Sequence, residues 1–418
     1  YSPASAFVAD LVPLIRHVLL RAVGEENSAP WLRVPVGGCW PGVGVWEDAQ
    51  FDVLSDSVGL RIQPRWPRLS FLQSQADLYD DAFKGIVSRP HASVPADPLL
   101  REALDLPTYT CDGQREAVRA LLHLPAGHTL IANLPTGSGK SLLAQLPPLI
   151  EPEGFLTLAI VPTVALAIDQ AARMRALLKR RYPHRDLPPL AFHGGLSMDD
   201  RTAVRRAIRQ GIQPILFTSP EYAVGSMREV LEVAATNGRL NRVVIDEAHL
   251  VIGWGNGFRP AFQLLPALIG MLRSLSPSHE LRVVLASATL TSNTIRDLRH
   301  LFGPPERTHV VSAVHLRPEI RYGFLRCNTD SERTIYVLDA VRFAPRPFIL
   351  YVTRPDEADK WLGALRDAGL RRVDKFSGES SAPERERLLK QWGANELDGM
   401  VATSAFGLGV DKGDVRTI

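Results

Sequence analysis

The chain has 418 residues, enough for two or three domains that each bury a core. Hydrophobic residues make up 45% and charged residues 22%, a globular balance, and no apolar run approaches the length of a bilayer span, so no membrane association is expected. A net charge of +3 permits a nucleic-acid partner without arguing for one, and the three cysteines, Cys39, Cys111 and Cys327, are too few and too scattered for a disulfide framework or a zinc pair.

The cysteine usage fits a reducing compartment, and the expected location is cytoplasmic. No secretory leader is visible, although the chain begins at Tyr1 rather than Met.

Residues 5–23 place apolar side chains at helical spacing, a pattern that Pro13 interrupts. From about 30 to 70 the texture turns to Trp, Pro, Gly and Val, which predicts short strands and turns. The four tryptophans of this region are expected mainly in a core. The segment SRPHASVPADPLL then reads as a connector.

Beyond residue 105 a short apolar run, a tight turn and an amphipathic helix alternate repeatedly. TLIANLP, FLTLAIVPT, PILFTSP, RVVIDEAH and RVVLASAT are the apolar runs, and FILYVT and GMVATSA resume the pattern after 313. Continuous apolar strands alternating with helices predict a parallel sheet covered on both faces. The expected organisation is α/β: an N-terminal α+β accessory module over 1–100, one parallel-sheet domain over 101–313 and a second, cut short, over 314–418.

LPTGSGKS, Leu134 to Ser141, follows the strand HTLIAN and opens a helix, the context a phosphate-binding loop requires. Gly137 and Gly139 let backbone N–H groups approach phosphate oxygens, with Thr136 and Ser138 beside them, and the helix N-terminus favours the anion. Lys140 is placed to reach the β- and γ-phosphates of ATP, and the Ser141 hydroxyl to ligate Mg²⁺. Leu134 stands where the general pattern has glycine.

The strand RVVIDEAH ends in Asp246 and Glu247. A carboxylate at the carboxyl end of a parallel strand faces the ligand crevice. Asp246 is expected to hold Mg²⁺ and Glu247 to orient and deprotonate water, with His249 a candidate relay to a neighbouring loop.

Phosphate loop, DEAH and SAT (Ser287 to Thr289) occur in an order that resembles superfamily-two helicases, and the aromatic loop WGNGFRPAF after DEAH is similar to that of the RecQ family. The resemblance runs over roughly 105–418 and implies two tandem RecA-like domains with ATP in the cleft between them and a DNA strand across their top. It implies an ATP-dependent DNA helicase, moving 3′ to 5′.

Position by position, DGQREAVRALL resembles the adenine-recognising element, with Gln114 as its glutamine. Thr163, Asp169, Gln170, Thr403 and Ser404 match strand-contacting motifs. In ATSAFGLGVDKG, Gly409 and Asp411 match nucleotide-facing positions, and Ser287 and Thr289 match the coupling motif. In the aromatic loop, Trp254, Phe258 and Phe262 offer stacking faces to bases. Arg259 either pairs a phosphate or returns to the cleft as a clamp. The glycines around these aromatics allow the loop two arrangements, and packing of Trp254 and Phe258 between domains is the alternative reading.

Departures are plain. Cys111 stands where the family usually has Arg, Asn256 where it has His and Gly257 where it has an acid. The arginine finger is expected beyond Ile418. An added N-terminal module on a RecQ-like motor resembles helicases of bacterial DNA-modification or phage-defence clusters, the DpdF proteins among them, and residues 1–100 are a candidate surface for other proteins of such a pathway. Translocation without unwinding and an ATP-gated scaffold remain the alternatives. The basic run LLKRRYPHR reads as a solvated helix end rather than a DNA patch.

Overall fold

The computed structural model describes residues 8–23, 28–38, 40–66, 69, 94–252, 260–277, 280–314, 320–406 and 412–418. The chain separates into two compact units, one made of 1–89 with 318–418 and the other of 90–317. The N-terminal helix and a small antiparallel sheet fall in the same unit as the second parallel sheet.

The first unit begins with helix α1 (Val8–Arg21) and continues through β1 (Leu32–Val34), α2 (Val43–Asp48), β2 (Phe51–Ser55) and β3 (Leu60–Pro64). The three strands form an antiparallel sheet in the order β1-β3-β2. Pro13 lies inside α1 without ending it. Near the helix start the missing N–H forfeits a single bond to the residue four earlier, and tertiary burial of the helix compensates. Of the four tryptophans only Trp46 is fully buried, packed edge-on against Phe51, whereas Trp31 lies exposed beneath Arg61.

The second unit opens with β4 (Val94–Pro95), α3 (Pro98–Leu104), β5 (Thr108–Tyr109) and α4 (Asp112–Leu122). It then builds a seven-stranded sheet from β6 (Thr129–Asn133), β7 (Leu156–Ile160), β8 (Ala191–Phe192), β9 (Ile215–Thr218), β10 (Leu240–Asp246), β11 (Arg282–Ser287) and β12 (Thr308–Ser312). Every pairing is parallel, in the order β12-β6-β11-β10-β7-β9-β8. The runs are apolar throughout because both faces are covered. Leu130, Ala132, Val244 and Val284 enter one core, while Ile131, Val243, Ile245 and Leu285 enter the other.

Helices α5 (Leu142–Gln145), α6 (Pro147–Ile150), α7 (Val164–Arg181), α8 (Met198–Gln210), α9 (Pro220–Val224), α10 (Arg228–Thr236), α11 (Leu265–Leu275) and α12 (Ser292–Leu301) make the crossovers. Side-chain caps by Thr163, Ser197 and Thr291 fix the starts of α7, α8 and α12.

The chain then returns to the first unit with α13 (Asp330–Phe343), β13 (Phe348–Tyr351), α14 (Pro355–Asp367), β14 (Val373–Phe376), α15 (Ala382–Gly393) and β15 (Gly399–Ala402). Its strands form a parallel sheet in the order β13-β15-β14. Helix α1 is built into this sheet's surroundings. The buried Asp10 carboxylate accepts from the N–H of Arg371 at 3.0 Å and of Arg372 at 3.4 Å. His17 Nδ1 accepts from Arg346 N at 3.2 Å. The Arg16 guanidinium sits over both Phe51 and Phe343, at 4.8 and 4.9 Å. No helix of the described residues is long and apolar enough to cross a membrane.

Candidate nucleotide site and strand interface

The register of β6, β11 and β10 puts their carboxyl ends side by side. Asn133 is level with Ser287, and Asp246 with Ala286. The phosphate loop, the Ser-Ala-Thr segment and the acid pair therefore emerge from three adjacent strands. The structure brings together residues that the sequence separates by more than a hundred positions.

In the phosphate loop, Leu134 is fully buried in the core, so the position asks for an aliphatic side chain rather than glycine. Gly137 and Gly139 both have φ +77°, a conformation that glycine adopts without strain. A side chain at Gly139 would in addition collide with the Gln114 amide. Ser138 is buried and donates from Oγ to Pro135 O at 2.7 Å. The Lys140 ammonium donates to Leu134 O at 3.2 Å and to Pro135 O at 3.4 Å. Burial lowers its pKa, and the charges of Glu247 and Asp246 partly offset this. Thr136 is exposed, and Ser141 lies at the start of α5.

Gln114 serves as a brace of this loop. Its Oε1 accepts from Thr110 N at 2.8 Å and from Thr110 Oγ1 at 3.0 Å, and its Nε2 donates to Gly139 O at 3.4 Å. Thr110 Oγ1 also lies 2.9 Å from Ser138 O, a role no motif signals.

The acid pair forms a tight turn out of β10. Asp246 Oδ1 accepts from Glu247 N at 3.0 Å, and Glu247 takes φ 51°, left-handed for a residue with a Cβ. Burial and the Glu247 charge push the Asp246 carboxyl up to about 6. Burial also acts to raise Glu247, but the His249 hydrogen bond and charge, Lys140 and the Ser287 hydroxyl outweigh it and hold that carboxyl below its ordinary value. His249 Nδ1 lies 3.1 Å from Glu247 Oε2 and 2.9 Å from Ser287 Oγ. One ring nitrogen offers one hydrogen or one lone pair, so the two contacts are shared. Thr289 N reaches Ser287 Oγ at 3.4 Å, and Leu134 N donates to Ser287 O at 2.9 Å. Ser287 is thus bonded to both the phosphate loop and the acid box.

Among the described residues no three His, Cys, Asp or Glu side chains form a metal cluster. Mg²⁺ takes one or two carboxylates and completes its shell with phosphate and water. The donor set fits: Asp246 is a half-buried carboxylate crowded by a second one, whose repulsion a divalent cation relieves, and Ser141 adds a hydroxyl.

The expected strand contacts divide between the two units. Thr163 caps α7, its Oγ1 accepting from Leu166 N at 3.1 Å. Asp169 is paired with Arg173 at 3.1 Å, and Gln170 Oε1 accepts from Gln145 at 3.3 Å. Thr403 is buried and Ser404 exposed. Trp254, Phe258, Arg259, Gly409 and Asp411 lie outside the described residues.

Phe262 overturns its expectation. It is 0% exposed in the core beneath β10, so it has no face to offer a base. A short 3-10 turn, Pro260–Leu264, turns it inward ahead of α11. The basic run at the end of α7 is exposed, as a solvated helix end would be, with Arg180 donating to Leu104 O and Arg181 paired with Glu102 at 3.1 Å.

A parallel sheet with a phosphate loop, an acid pair and a Ser-Ala-Thr segment at one edge defines a RecA-like nucleotide-binding domain. Residues 111–298 match the family model of the DEAD/DEAH box helicases, so this segment is a DEAD/DEAH box helicase domain. More particularly, its curated relatives are RecQ-like DNA helicases. It is 30% identical over 367 residues to ATP-dependent DNA helicase Q-like 5 of Arabidopsis thaliana, covering 84% of this chain and 37% of that protein. It is 29% identical over 315 residues to the probable ATP-dependent DNA helicase RecS of Bacillus subtilis (strain 168), covering 73% of this chain and 57% of that one. The chain therefore spans between about a third and three fifths of these relatives' lengths. Solved structures of the DUF1998 helicase MrfA bound to DNA, one also with AMPPNP, share the fold, with TM-score 0.55 and 18% identity over 79% of this chain and just under half of theirs.

Proposed function

We propose that this chain is the motor of an ATP-dependent DNA helicase or translocase of RecQ type. The observation that carries the reading is the joint of Lys140, Asp246, Glu247, His249 and Ser287 at one sheet edge. A scaffold that merely held nucleotide would need no second carboxylate beside Asp246, hydrogen-bonded to a histidine that also meets Ser287.

In this reading the phosphate loop and Lys140 hold the triphosphate, and Ser141 and Asp246 hold Mg²⁺, which neutralises charge on the phosphates when bound. Glu247, beside His249 at the end of β10, accepts the proton of the attacking water. The His249–Ser287 contact keeps that carboxylate aimed. Gln114 supports the loop and is placed to read adenine. Thr163, Gln170 and Ser404 contact the DNA strand, with Trp254, Phe258 and Arg259 stacking and clamping so that strand binding sets the acid box. Movement is 3′ to 5′.

The test is ATP hydrolysis with and without single-stranded DNA, with RNA as comparison, followed by unwinding of duplexes carrying a 3′ or a 5′ tail. DNA-specific stimulation, abolished in Lys140→Ala and reduced to the basal rate in Trp254→Ala, supports the motor. Hydrolysis indifferent to either nucleic acid overturns it in favour of an ATP-gated scaffold.

A further inference from the structure

The strand that feeds the phosphate loop ends in a residue unlike its neighbours. After the fully buried Leu130, Ile131 and Ala132 comes Asn133, itself only 1% exposed. A buried amide is costly unless its donors and acceptor are satisfied, and an aliphatic side chain would fill the same volume without that requirement.

Here the amide is engaged at both ends. Asn133 Nδ2 donates to Leu290 O at 3.0 Å, and Leu290 N donates to Asn133 Oδ1 at 3.2 Å. This two-way exchange imitates a backbone ladder step, but it lies beyond the last ladder bond, the one from Leu134 N to Ser287 O at 2.9 Å. A side chain has replaced the ladder where β11 has already ended. The same nitrogen lies 3.3 Å from Ser312 Oγ at the end of β12, and the Asn133 carbonyl accepts from Ala313 N at 3.0 Å. Ala313 in turn abuts Gly113, where any side chain would collide with it, next to the Gln114 that braces the phosphate loop.

Residues 287–290 therefore form a short span fixed at two points. Ser287 meets His249 at one end, and Leu290 meets Asn133 at the other. The Leu290 fixing leads directly to the strand that enters the phosphate loop, and Ser287 O joins the same segment by accepting from Leu134 N. We propose that Asn133 is a positioning residue that makes the Ser287–Leu290 span follow the nucleotide state of that loop. The inference rests on the nucleotide-binding reading above and adds the route by which occupancy reaches the Ser-Ala-Thr segment.

Hydrogen exchange of backbone amides, with and without AMPPNP and Mg²⁺, tests it on the whole chain independently of hydrolysis. In the wild type, nucleotide is expected to slow exchange both over 134–142 and over 288–294. In Asn133→Leu, of the same branched shape but without the bonds, nucleotide still slows exchange over 134–142, while the response over 288–294 falls at least tenfold. Asn133→Ser, too short to reach Leu290, should behave alike and guards against a packing defect of the leucine.

An unchanged nucleotide response over 288–294 in both variants overturns the proposal. So does failure of both variants to fold, which is what a purely structural amide would give. A wild type without nucleotide response over 134–142 removes the nucleotide site and this inference together. A normal exchange pattern with no DNA-stimulated hydrolysis removes the helicase reading alone.

Discussion

His249 Nδ1 lies 2.9 Å from Ser287 Oγ, joining the acid box to the neighbouring strand through one shared hydrogen. Removing that partner leaves His249 with Glu247 alone, at 3.1 Å, and frees the carboxylate to turn. Ser287→Ala is expected to lower DNA-stimulated hydrolysis by about tenfold, the worth of one hydrogen bond to a charged group. Nucleotide affinity should stay within about twofold, since no phosphate contact is lost. Steady-state kinetics beside a fluorescent-nucleotide titration separates the two.

Gly139 is constrained twice, by φ +77° and by the Gln114 amide, which stands where a Cβ would go. Gly139→Ala should abolish measurable nucleotide binding while leaving the melting of the sheet nearly unchanged, because the strain is confined to the loop. Adding Gln114→Ala relieves the collision but not the backbone, so the double variant should recover only part of the affinity. Full recovery would show that φ carries no cost here.

Phe262→Ala should destabilise the fold by about 3–5 kcal/mol, the usual cost of emptying a fully packed aromatic site. DNA affinity per folded molecule should not change. Urea denaturation and strand binding at equal folded fraction check the two halves. A stable Phe262→Ala with weakened DNA binding would return the residue to the strand interface.

His17 predicts a pH dependence. Burial, with the charges of Arg416, Arg21 and Arg346, holds its pKa down at about 4. Its Nδ1 must be unprotonated to accept from Arg346 N. The folded unit excludes a proton that the unfolded chain takes up near 6.5, so the contribution is complete above that pH. It erodes as pH falls from about 6.5 towards 4, at most about 3 kcal/mol in all. Melting curves between pH 7.5 and 4.5 should lose stability across this window, and His17→Asn should flatten the slope.

The phosphate loop and acid pair were legible because their chemistry is local: glycines, a lysine and carboxylates at strand ends imply their surroundings. Phe262 misled because the glycines before it suggested an exposed loop. The correcting signal lay downstream, where Leu265, Ile269 and Leu272 continue an apolar helical spacing into the same core. Asn133 stood in plain view as a polar residue closing an apolar strand, yet its partner Leu290 is set by strand order, which no local pattern encodes. The same holds for α1. Its amphipathic spacing was readable, but the backbone of residues 371–372 as the seat for Asp10 was not. A contact across most of the chain leaves no trace in either segment alone.

That contact has a bearing on descent. A helix whose acid satisfies two backbone amides, whose arginine is shared by Phe51 and Phe343 and whose histidine accepts from Arg346 cannot be exchanged like a cassette. Drift at either end must be answered at the other, so the first residues of this chain and its second sheet are expected to be inherited as a pair, whatever happens to the boundary between them.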